Sequence, residues 1–281
     1  MILKHHFINV NHNDYHVAIN TVKKPKANLV MLHGLLECYM SFIPLMELFC
    51  SDYNIMAIDL PGFGDSGALP DFSAENVTRD LKEIIEYFDF KNPVIFGHSL
   101  GGIIALMLAN SGLNVRKFVI MNSPYKTFNL CDEAIPYLKG IAGIRHSNIM
   151  LDLVSALKNS DLAEKIAVPF VDKFDKEMKP VNDKFGFDFL APTIQKSNAK
   201  ASGDFSNLML NFDLTDIIRD LKVPALFIFS ELDDQVKIET ASEVTSVNPV
   251  VQIHIVKDYA HGVFIVAPEK IYPVILDFIG K

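Results

Sequence analysis

Cysteine is scarce: Cys38, Cys50 and Cys131 are the only three in 281 residues. They form no CxxC pair and no cluster with ligand spacing, so neither a disulfide framework nor a cysteine metal site is expected. Three free thiols fit a reducing compartment, and a cytoplasmic location is the expectation. Long apolar runs are missing too. No stretch nears the roughly 20 residues that a membrane-crossing helix requires. The first six residues lead into polar sequence rather than the apolar segment of a secretory signal, so none is expected there. Positive charge is outnumbered, with 26 Lys and Arg against 34 Asp and Glu, a net of −8. No basic cluster stands out, which makes nucleic acid and anionic membrane surfaces unexpected partners. Internal repeats and low-complexity tracts are absent.

Apolar residues, by contrast, are plentiful at 49%, enough for a sizeable core. Residues 7–10 and 15–19 flank the turn-rich Asn11-His12-Asn13-Asp14 and read as a hairpin. Residues 27–32 read as a buried strand ending at His33-Gly34. Short apolar strands then alternate with helical patterns. Strands are expected at 54–58, 93–96 and 118–121. Helices are expected at 74–88, capped by Ser73, and at 100–110. Alternation stops between about 124 and 212, where 149–157 and 162–174 read as amphipathic helices. It resumes at 214–221, with strands at 224–229 and 251–256 and helices at 238–246 and 272–278. The pattern predicts an α/β fold, a mostly parallel sheet covered by helices on both faces. The core comprises 1–123 and 213–281, and 124–212 is an inserted helical cap.

Chemistry concentrates at strand ends. Ile95-Phe96-Gly97-His98-Ser99-Leu100-Gly101-Gly102 runs from strand to helix through a serine flanked by glycines. A sharp turn there would expose the Ser99 hydroxyl, and the glycines would supply room for it. The helix start would aim N–H groups at negative charge forming beside Ser99. Serine needs a base, and the base needs an orienting carboxylate. After the strand at 224–229 comes Ser230-Glu231-Leu232-Asp233-Asp234-Gln235-Val236. After the strand at 251–256 comes Lys257-Asp258-Tyr259-Ala260-His261-Gly262. Any of Glu231, Asp233 and Asp234 could be the acid, and His261 the base. All would gather at the carboxyl edge of the sheet.

Leu32-His33-Gly34-Leu35, Asp59-Leu60-Pro61-Gly62-Phe63-Gly64-Asp65-Ser66, the Ser99 turn and Asp233…His261 occur in an order that resembles the α/β-hydrolase superfamily, in its capped, lipase- and esterase-like branch. The resemblance covers residues 27–124 and 213–281. It implies Ser99 as nucleophile, His261 as base and Asp233, three residues before Val236, as acid. Ser230 departs from the glycine usual in that acid segment. It also implies an oxyanion hole formed by the N–H groups of Leu35 and Leu100. Asp59 would open a structural turn bracing the site. In dehalogenases and epoxide hydrolases an aspartate takes the elbow position that Ser99 holds here, which argues against those chemistries.

His33 and His98 are expected to serve packing and loop hydrogen bonds beside the site. With Gly34, Cys38 and Phe128 they are candidate pocket residues. His254 reads as structural. The other histidines, His5, His6, His12, His16 and His146, form no ligand pattern, so no metal is expected, nor any cofactor. The cap tract carries Phe128, Phe170, Phe174, Phe185, Phe187, Phe189, Phe205 and Phe212, a set suggesting an apolar pocket. Residues 184–189 alternate as a loop would. The expected substrate is a small or medium apolar carboxylic ester or thioester. A carbon–carbon bond hydrolase with the same triad and a ligand receptor built on this fold are the alternatives.

Overall fold

A computed structural model of the chain describes residues 1–143 and 196–280, with 179, 181, 183 and 184 besides. Its strands are β1 (Lys4–Val10), β2 (Asn13–Asn20), β3 (Asn28–Leu32), β4 (Asn54–Ile58), β5 (Val94–His98), β6 (Lys117–Met121), β7 (Ala225–Ser230) and β8 (Gln252–Val256). They form one eight-stranded sheet in the order β1-β2-β4-β3-β5-β6-β7-β8. β1 and β2 make the expected hairpin, and β2 pairs antiparallel with β4. Every later pairing is parallel. Crossover helices can join such strands only by packing back on the sheet, so both faces are covered.

That covering explains why the inner strands read as unbroken apolar runs. In β3, Val30 and Leu32 face one core and Leu29 and Met31 the other. The first core takes side chains from α2 (Ala74–Tyr87), α3 (Leu100–Leu108) and two later helices, α6 (Thr215–Asp220) and α7 (Thr240–Val247). The second takes them from α1 (Ile43–Phe49), α8 (Val263–Val266) and α9 (Pro268–Gly280). Ser73 caps α2 as expected, its Oγ accepting from the Asn76 N–H at 3.0 Å. The last helix is longer than expected. Pro268 opens α9, where a missing N–H costs nothing, and Pro273 lies inside it, where one backbone hydrogen bond is forgone.

Between β6 and α6 the described residues contain a 3-10 turn at Thr127–Asn129 and two helices, α4 (Ala134–Gly143) and α5 (Ala199–Leu210), which pack together. The expected helices at 149–157 and 162–174 lie outside the described residues. So do Phe170, Phe174, Phe185, Phe187 and Phe189. Phe205 is fully buried between Phe63 and Phe72, with ring centroids 5.6 and 4.7 Å away, and Phe212 is buried as well. Both serve the core. Among the described residues no helix is long and apolar enough to cross a membrane.

Candidate active site

Ser99 sits between the end of β5 and the start of α3, at φ 50° and ψ −117°. Such a backbone is strained for any residue with a Cβ. It persists because the surroundings fix it. The Ser99 N–H donates to the Met121 carbonyl at 3.0 Å, and the Ser99 carbonyl accepts from the Ser123 hydroxyl at 2.8 Å. A Cβ on Gly97 would strike the Gly101 backbone, and one on Gly101 would strike the Leu32 carbonyl. The glycines are therefore required by close approach of β3, β5 and α3. Leu100 opens α3, and the first N–H groups of a helix have no partner within it.

The loop after β7 carries Asp233 and the loop after β8 carries His261. His261 Nδ1 lies 3.0 and 2.9 Å from the two Asp233 oxygens. Asp233 Oδ1 also accepts from the Gln235 and Val236 N–H groups at 2.8 and 3.0 Å. Its Oδ2 accepts from Asn122 Nδ2 at 2.6 Å. Burial pushes the Asp233 carboxyl upward, but His261 and these hydrogen bonds outweigh it and hold the group below its ordinary value. Burial pushes His261 down, and Asp233, with help from Glu37 and Asp234, carries it above the ordinary 6.5. Glu231 and Asp234, the other acids of the segment, make no such bond to His261. The Glu231 carboxylate instead accepts from the Asp258 N–H.

His33 is fully buried. Its Nε2 faces the Leu60 N–H at 2.9 Å and so accepts. Nδ1 must then carry the proton, which it donates to the Gly34 carbonyl at 2.8 Å. Burial lowers its pKa, consistent with a neutral ring. Asp59 accepts from the Tyr39 and Asp65 N–H groups at 2.7 and 3.0 Å and from His16 Nδ1 at 2.7 Å. Both residues thus tie the loop bearing Gly34 and Leu35 to the loop after β4. His5 extends the chain, its Nδ1 lying 2.9 Å from His16 Nε2. His16, Asp59 and Asp65 bring potential ligand atoms within 4.8 Å of one another. The hydrogen bonds just given already occupy Asp59, and Lys196 pairs with Asp65.

His98 lies beside His261 and Phe264, with ring centroids at 4.7 and 4.3 Å. Cys38 is buried, and burial pushes its thiol far up. Phe128 is placed differently from the rest: the residue is 70% exposed, its ring between the Lys126 and Lys237 ammonium groups. His254 stands in β8 as expected. Two residues of the site had drawn no notice in sequence. Asn122 follows β6 at φ 46°, a left-handed conformation asparagine tolerates. Glu37 follows His33-Gly34-Leu35-Leu36, and its Oε2 accepts from the Gly34 N–H at 3.0 Å.

A sequence profile of the alpha/beta hydrolase fold matches residues 27–268, and the chain belongs to that family. Among curated proteins, it is 40% identical over 87 residues to 2-succinyl-6-hydroxy-2,4-cyclohexadiene-1-carboxylate synthase of Yersinia enterocolitica, a match over 31% of each chain. It is 29% identical over 115 residues to epoxide hydrolase 4 of Mus musculus, covering 40% of this chain and 32% of the relative. Both matches span about a third of the relative's length. An esterase structure from Exiguobacterium antarcticum superposes with a TM-score of 0.76, at 18% identity, over 98% of this chain and 99% of that one. At that identity the likeness shows the fold.

Proposed function

We propose that the chain is a serine hydrolase that cleaves a small or medium apolar carboxylic ester or thioester through an acyl-enzyme on Ser99. The observation that carries this is the Asp233–His261 hydrogen bond, on the loops after β7 and β8, with the His261 ring 4.7 Å from that of His98, the residue before Ser99. With Nδ1 donating to Asp233, the neutral His261 ring keeps Nε2 as its acceptor, free to take the Ser99 proton. Ser99 then attacks the carbonyl carbon, and the Leu35 and Leu100 N–H groups hold the resulting oxyanion. His261 returns the proton to the leaving group. Water repeats the sequence and frees the acid. No cofactor enters these steps. In this reading Leu35 and Leu100 give the pocket apolar walls, and residues 124–212, a large part of which lies outside the described residues, are its cap.

The test is a series of p-nitrophenyl esters of increasing acyl length, run beside fluorophosphonate labelling mapped by peptide mass spectrometry. Turnover with label on Ser99, both lost in Ser99→Ala, is the expected result. Label on another residue, or full activity in Ser99→Ala, overturns the reading. A second reading is a carbon–carbon bond hydrolase with the same triad, and the 40% identity over 87 residues to a synthase, not an esterase, supports it. It predicts that Ser99 is labelled while no ester or thioester of the series turns over.

A further inference from the structure

Glu37 and His98 form a second charged pair beside the proposed triad, and it has a constrained protonation state. His98 Nδ1 lies 3.0 Å from Glu37 Oε1. Its Nε2 lies 3.1 Å from the His261 carbonyl oxygen. A carbonyl only accepts, and an ionised carboxylate only accepts. Nε2 gives its proton to the carbonyl; Nδ1 is buried and its contact with Oε1 lacks regular hydrogen-bond geometry, yet two bare lone pairs 3.0 Å apart would repel, so a second proton belongs to this pair. Glu37 is held ionised: burial raises it, but His98 and the Gly34 N–H outweigh that and bring it to about 2. The pair is therefore a carboxylate and an imidazolium, with no net charge.

Its position joins three loops. Glu37 belongs to the turn after β3, where its other oxygen holds the Gly34 N–H. His98 immediately precedes Ser99. His261 belongs to the loop after β8. A Cβ on Gly34 would lie 2.9 Å from Glu37 Oε1 and 3.0 Å from His98 Nδ1, so the pair closes directly over that glycine. Each partner alone would harm the chemistry. A bare carboxylate here would repel an oxyanion forming at Leu35. A bare imidazolium would oppose protonation of His261, whose ring is 4.7 Å away.

We propose that Glu37 and His98 are a neutral positioning pair for the Ser99 reaction, fixing the oxyanion loop against the elbow and the base loop while cancelling each other's charge at the oxyanion. This rests on the reading of Ser99, His261 and the oxyanion hole given above. It assigns a role to two residues that touch neither substrate nor the bond being broken.

The test is the second-order rate of Ser99 capture by a fluorophosphonate, with kcat on a turned-over ester beside it. Removing one member of a largely buried pair strands the other's charge, so His98→Ala should slow capture about tenfold or more. Adding Glu37→Gln to His98→Ala neutralises the stranded carboxylate while the amide oxygen still accepts from Gly34. The double variant should then be several-fold faster than His98→Ala, a reversal of sign that double-mutant cycles detect directly. Glu37→Gln alone should lose less than Glu37→Ala, which also drops the Gly34 bond, with the difference in kcat rather than KM. A purely structural role would make the double variant as slow as His98→Ala or slower, and that result overturns the pair while leaving the triad standing. Absence of label at Ser99 in the unmodified protein overturns the triad and the pair with it.

Discussion

Asp233 accepts from Asn122, from the Gln235 and Val236 N–H groups and from His261, so its carboxylate has no freedom to turn. At the scale of single residues this decides how the base behaves. On the proposed mechanism His261 acts when neutral, and its pKa is raised above 6.5. Ester turnover should rise with pH through that raised value and be lost as pH falls below it. A kcat/KM profile shows this as an acid limb centred above 6.5; a flat profile from pH 5 to 8 contradicts the assignment. Asn122→Ala removes one of the two donors at Oδ2, leaving His261 Nδ1 as the other, and a hydrogen bond to a charged group lost here costs about 1–3 kcal/mol of stability. The expected readouts are a lower melting temperature and a lower kcat with KM little changed. Asp233 and His261 were legible in sequence because each follows an apolar run that reads as a strand. Asn122 and Glu37 were not. The bond from Asn122 reaches 111 residues along the chain, and no local pattern marks an amide that will meet a carboxylate so distant. Phe128 was misleading in the other direction: an aromatic in the cap tract suggested a pocket wall, and its ring instead stands exposed between two lysines.

At the scale of elements, the elbow is a contact between backbones. β3, β5 and α3 meet at Gly97, Gly101 and Gly102, where added methyl groups would meet the Gly101 backbone, the Leu32 carbonyl and the Ser123 side chain. The first two obstacles are main-chain atoms and cannot rotate away. Gly101→Ala should therefore push α3 off β3, destabilising by roughly 1–3 kcal/mol or more as overpacking does. Thermal melting together with the Ser99 labelling rate checks this; unchanged values for both would contradict it. The spacing of glycines and serine exposed this element in sequence. The length of α9 was harder to read, because Pro273 looks like a helix boundary and instead lies inside a helix whose apolar face is held by the second core.

At the scale of the whole molecule, acid stability and the hairpin attachment carry further expectations. Glu37 has its folded-state pKa lowered from 4.5 to about 2. A lowered carboxyl contributes stability above its unfolded value and loses it as pH falls through the folded one. Denaturant melts should thus weaken between pH 4.5 and about 2, and less steeply in Glu37→Gln. The β1–β2 hairpin is fastened by Asp80, a buried carboxylate on α2 that accepts from Asn11, Asn13 and Tyr15. Asp80→Ala should raise hydrogen exchange in β1 and β2 while β5 and β6 stay protected. The hairpin and the parallel order were readable from periodicity, whereas this clasp, spanning 65 residues or more, was not.

The sheet order has a consequence for how the molecule comes into being. Ser99 follows a central strand, but His261, the base of the proposed mechanism, is carried beyond β8, the strand at the opposite edge from the hairpin. A ribosome therefore delivers the elbow long before it delivers His261. Throughout that interval the nascent protein holds a strained serine with nothing to draw its proton away. On the proposed mechanism, reactivity toward esters should switch on only when the final loop docks, so the half-made chain would carry no premature nucleophile.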